Sequence, residues 1–145
     1  MGTKIRTNVS KKNPYYLPKH EYLMLRHFCL QYPEWKREKY EIESRVGTGF
    51  QNDSKYQSNF TSPVELAHEH SAILSYKLEL VEEAARMAGE DLWSYILIGV
   101  TTECNYEYLS LMRKMPCCKD VYYKTYRKFF WILSMEIEKI LKQIV

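Results

Sequence analysis

No run of about 18 apolar residues occurs in this chain, so no membrane-crossing helix is expected. The opening Met1-Gly-Thr-Lys-Ile-Arg-Thr-Asn-Val-Ser-Lys-Lys12 has no apolar stretch of the kind a secretory signal needs. Arg6 stands where a myristoylation signal wants Ser or Thr. There is no Cys-x-x-Cys pair among Cys29, Cys104, Cys117 and Cys118. Adjacent Cys117 and Cys118 make a poor disulfide framework, and a reducing, cytoplasmic setting fits them better. His68 and His70 are two apart, so on a helix they diverge, whereas paired ligands want a spacing of three or four. No metal is therefore expected. A Gly-rich phosphate loop, a His-Glu-x-x-His pair and a Gly-x-Ser-x-Gly elbow are all missing, which argues against an enzyme and against a bound cofactor.

What the chain does have is ordinary globular composition in 145 residues, 46% hydrophobic and 27% charged, which suits one domain with a buried core. Its 13 tyrosines carry an apolar ring and a polar tip, useful in interfaces and shallow cores alike. Net charge is only +3 but is unevenly spread. Residues 1–40 hold nine Lys/Arg against three Glu, residues 41–118 six against twelve acids, and residues 119–145 six against three. Basic ends around an acidic middle suit a polyanionic partner, and equally suit helices with solvated acidic faces.

Periodicity predicts helices and neither strand nor repeat. Residues 1–13 read as a flexible basic arm and 14–145 as a single helical domain. Within it, 14–46 hold the N-terminal helices, with Pro33 ending or kinking the first and Trp35 anchoring the second. Residues 47–62 form a long polar loop. In the central helices of 63–104, Ser62-Pro63-Val64-Glu65 is a capping box with proline at the first helical position. Leu66, Ala67, Ile73, Leu74, Leu80, Val81, Ala84 and Met87 are the expected inward positions of the helix it opens. Gly89 stops that helix, and Asp91 is expected to cap the next, with Leu92, Tyr95, Ile96 and Val100 inward. Residues 101–104 connect it to the closing unit, 105–145. The expected fold class is all-α, a bundle of five or six helices with a C-terminal helix-turn-helix.

The last forty residues carry the main functional signal. A short helix bearing Leu109 and Ser110 leads through Met115 and Pro116 into a longer one. On that second helix Tyr122, Tyr126, Phe129 and Leu133 share the packing face. Lys119, Tyr123, Lys124, Arg127 and Lys128 are left on the other, where long cations can reach phosphates or a guanine edge. Lys114 sits where such turns usually place glycine in a left-handed conformation. Lys11 and Lys12 of the arm would add phosphate affinity.

The segments Tyr108-Leu-Ser110, Met115-Pro-Cys-Cys-Lys-Asp120, Tyr122-Tyr123 and Tyr126-Arg-Lys-Phe-Phe130 resemble small proteins of bacteriophages and prophages of Gram-positive bacteria. So do Lys12-Asn-Pro-Tyr-Tyr-Leu-Pro-Lys-His20 and Phe28-Cys-Leu-Gln-Tyr32. More loosely, about the last eighty residues resemble RinA/ArpU-type phage late-gene regulators, whose C-terminal region is like sigma-factor region 4. Lys114 and the Pro-Cys-Cys turn depart from that pattern. The resemblance implies double-stranded DNA as partner, transcription regulation as role and the bacterial host cytoplasm as setting.

A second reading makes the chain a phage-encoded inhibitor of a host nucleic-acid enzyme, such as an anti-CRISPR, acting by protein contact. Glu79, Glu82, Glu83, Glu90 and Asp91 would then enter a basic channel. A third is a packaging component such as a small terminase subunit. A homodimer is expected if the apolar tail from Trp131 leaves the bundle.

Overall fold

The computed structural model describes residues 13–47 and 62–144. The arm up to Lys12, including Lys11, and nearly all of the 47–62 loop lie outside the described residues. Among the described residues there are six helices and no strand: α1 (Lys19–Leu30), α2 (Tyr32–Gly47), α3 (Pro63–Ala88), α4 (Trp93–Thr102), α5 (Tyr106–Met112) and α6 (Lys119–Ile144).

Local chemistry sets most of the boundaries. Pro33 falls in the first turn of α2, where its missing N–H is not needed, so the chain breaks at Gln31 and restarts. Ser62 Oγ accepts from the Glu65 N–H at 3.2 Å and Pro63 opens α3. Gly89 closes α3, its N–H reaching the Ala85 carbonyl at 3.1 Å. Asp91 does not cap α4. The N-cap is Leu92 and makes no side-chain bond, because residues 89–92 already form a turn closed by Leu92 N–H on the Gly89 carbonyl. Thr101 and Thr102 belong to α4, their hydroxyls donating back to the Leu97 and Ile98 carbonyls, so the link to α5 is shorter than the sequence suggests.

The two long helices, α3 and α6, form the spine. Helix α2 packs on α3, and α4 lies against α3, α1 and α6. On α3 the buried positions are Leu74, Leu78, Val81, Ala84, Ala85 and Ala88, the alanines allowing close approach. Leu66, Ile73 and Met87, expected inward, are more than half exposed. The buried stripe is centred one position on from Ile73 and Met87, and Leu66 lies in the first turn of α3, ahead of the first buried position, Leu74. From α6, Tyr122, Tyr126, Phe129, Phe130 and Leu133 enter the core. Phe130 meets Tyr22, Tyr126 and Phe129 edge to face, with ring centroids 5.1, 4.9 and 4.9 Å away. Such pairs add about 0.5–1.5 kcal/mol each beyond area burial. The Tyr22 and Tyr126 hydroxyls, 3.3 Å apart, and a Ser134 hydroxyl donating to Glu21 tie α1 to α6.

Candidate nucleic-acid interface

The start of α6 is fixed by the short helix before it. Asn105 Oδ1 accepts from the Tyr108 N–H at 2.9 Å and caps α5. At the other end the Leu109 carbonyl accepts from the N–H groups of both Arg113 and Met115. That closure requires the left-handed backbone of Lys114, φ 53°, at the position where glycine is usual. Met115 then plugs the core, with Leu109 fully buried in the same cluster. The Tyr106 hydroxyl donates to the Cys117 carbonyl at 2.9 Å, and Lys119 Nζ lies 3.2 Å from Glu107 Oε1. The Glu107 carboxyl is held below its usual range by a backbone hydrogen bond and by Lys119. Helix α5 rests chiefly on α4, and these two bonds are its polar ties to α6 and the residues just before it.

The two faces of α6 divide as the period predicts. Tyr122, Tyr126, Phe129 and Leu133 are buried, Lys119 and Lys124 are exposed, and Tyr123, Arg127 and Lys128 are half-buried. The basic face is not a free rod. The segment Asn13–Tyr15 runs beside it, turned by the Asn13 side chain, whose Oδ1 accepts from the Tyr15 N–H at 3.0 Å. Tyr15 then sets its ring edge against Trp131, centroids 5.7 Å apart. Between that segment and α6 lies a hollow of about 530 Å³.

Four of the five cations and aromatics expected on this face line the hollow: Lys119, Tyr123, Lys124 and Arg127. Lys128 is on the same helix but not in the lining. Sequence reasoning missed Asn13, Pro14, Tyr15 and Asp120, which complete the wall. The Asn-Pro turn signal was there to read, but nothing local told that it would fold back onto α6.

Lys119 is engaged with Glu107, while Lys124, Arg127 and Lys128 have no ion pair among the described residues. Arg127 Nε is buried and finds no acceptor among the described residues. A buried N–H without an acceptor costs about 1–3 kcal/mol; Nε is closed to solvent as it stands, so an anionic oxygen would recover that cost once the side chain turned toward the hollow. Tyr15 and Tyr123 give the hollow aromatic walls beside its charges.

The acidic alternative is distributed differently. Glu82 accepts a 2.6 Å bond from the Tyr32 hydroxyl. Glu83 pairs with Arg86 at 2.6 Å, and the Arg86 guanidinium lies 5.0 Å over Trp93. Glu79, Glu90 and Asp91 are exposed. The four cysteines are free thiols, Cys29 being fully buried and its thiol pushed up by that burial. Among the described residues no three His, Cys, Asp or Glu side chains converge on a metal-sized site, and no helix is long and apolar enough to cross a membrane.

Comparison with family models, curated proteins and solved structures found no match to this chain.

Proposed function

We propose that this chain is a non-enzymatic DNA-binding protein that holds the phosphate backbone of double-stranded DNA in the hollow between Asn13–Tyr15 and the first turns of α6. The observation that carries the reading is the pairing of two cations without carboxylate partners, Lys124 and Arg127, with a buried Arg127 Nε that lacks an acceptor. Phosphate oxygens supply such an acceptor and match the guanidinium fork. Lys128 extends the basic face along α6. The arm that leads into Asn13 carries Lys11 and Lys12 in its sequence, which suits a strand of phosphates passing the hollow. The resemblance to phage late-gene regulators makes transcription control the natural role for such a grip. Two of the five carboxylates of the inhibitor reading are engaged within the chain, so the basic hollow supports DNA better than it supports a basic protein channel.

Fluorescence anisotropy on a labelled duplex, repeated over a salt series, tests this. Each phosphate contact adds about 0.9 to the slope of log affinity against log salt, so Lys124→Ala with Arg127→Ala lowers its magnitude by about two. An unchanged slope with unchanged affinity rejects the assigned face.

A further inference from the structure

A second surface lies where α1, α3 and the far half of α6 meet. It is a trough of about 560 Å³ whose lining is apolar apart from Lys77. Met24 and Phe28 line it from α1, Ile73 and Tyr76 from α3, and Ile137 and Ile140 from α6. Met24, Ile73 and Tyr76 are each more than half exposed, although core positions one residue away, Leu25 and Leu74, are buried. The α6 lining does not stop at the trough. It continues as Leu141 and Ile144, 57% and 75% exposed, at helical spacing from Ile137. An apolar stripe of this kind in water marks an interaction surface.

We infer that the occupant is a second copy of this chain, with the last turns of α6 from each copy lying in the trough of the other, antiparallel about a two-fold axis near Ile140. Two features select that partner. The trough and the apolar stripe that fits it adjoin along α6, so a single two-fold operation covers both at once. The charges beside the stripe also run in one order. Glu138 precedes Lys142 on one flank, and Glu136 precedes Lys139 on the other. An antiparallel pair therefore brings the acidic end of each α6 to the basic end of its partner, whereas a parallel pair would set like against like. The surface is separate from the basic hollow, which begins at Lys119 at the opposite end of α6. It needs no DNA.

Sedimentation velocity on the full chain without DNA tests the inference, and the expected mass is that of two chains. Leu141→Asp alters an exposed side chain that a single copy does not need for folding. It is expected to weaken association roughly a hundredfold, because the change enters the interface twice. Glu138→Lys alone and Lys142→Glu alone should each weaken the pair, and the double exchange should restore it. Circular dichroism on each variant checks that helix content is kept. A single-chain mass at every concentration overturns the inference, as does a dimer indifferent to Leu141→Asp. Native mass spectrometry that finds a hydrophobic small molecule on a single chain also overturns it. DNA affinity of the Leu141→Asp chain for a duplex too short to meet two hollows separates this surface from the basic hollow, because loss of pairing leaves each hollow intact.

Discussion

Gly99, in the middle of α4, is buried under the Tyr122 ring. A Cβ there would stand 2.0 Å from Tyr122 Oη, 3.3 Å from Cζ and 3.5 Å from Leu109 Cδ1. The ring has nowhere to swing, since Tyr122 is 1% exposed and sits among Tyr106, Tyr123 and Tyr126. Gly99→Ala should gain about 1 kcal/mol of helix propensity. It should lose about 3 kcal/mol to overpacking, the upper end for an added methyl group. The net expectation is a chain destabilised by about 2 kcal/mol, with a melting point lower by about 6 °C for a domain of this size. The same hydroxyl is buried with no partner among the described residues. Removing it by Tyr122→Phe should cost nothing and stabilise by about 1 kcal/mol, the lower end for an unsatisfied buried group. In the double variant the closest approach becomes the 3.3 Å contact with the ring carbon. The alanine then keeps its propensity and the chain should equal or exceed the parent. The two changes thus couple by about 3 kcal/mol, the upper range for residues in contact. Urea denaturation followed by circular dichroism, with constant m values, measures all four corners of the cycle. Additive effects refute the packing argument. A Tyr122→Phe chain less stable than the parent refutes the claim that the hydroxyl lacks a partner.

The buried phenols make the fold sensitive to alkali. Burial is the main cause raising Tyr22, Tyr32, Tyr122 and Tyr126 above the ordinary tyrosine range, and the bond to Glu82 raises Tyr32 further. Each stays neutral in the fold where the unfolded chain would ionise, so their contribution is complete below about pH 10 and is lost as pH climbs beyond it. Melting temperature should fall steeply above that pH, with the last part of the tyrosinate absorbance rising together with unfolding, after exposed tyrosines such as Tyr40 and Tyr76; complete tyrosine ionisation in a still-folded chain would contradict this. Lys114→Gly should stabilise by up to about 1 kcal/mol by relieving the left-handed backbone, while Lys114→Ala should not, and equal melting points for the two would remove the strain argument.

The elements legible in the sequence are those fixed by neighbours in the chain. Pro33, Ser62-Pro63 and Gly89 act within a turn of themselves, and all mark boundaries where expected. The facing of α6 was legible too, because its aromatic period continues for many residues. Asp91 misled because a carboxylate is a good cap only if the turn leaves it at the cap position, and here Leu92 holds that place. Ile73 and Met87 misled because the apolar stripe on α3 is wide, and sequence alone does not tell its buried centre from its rim. The far wall of the hollow was not legible at all. Tyr15 meets Trp131 across more than a hundred residues, a contact that only the packing of α1 against α6 brings about.

Helix α6 also serves as a ruler. Its 26 residues span about 39 Å, and the thirteen residue-to-residue steps from Arg127 to Ile140 take up about 20 Å of that. In a pair joined near Ile140, the two Arg127 side chains would stand about 40 Å apart along the shared direction, close to one turn of B-form DNA. The distance between grips would then be set by a count of residues in one rigid rod.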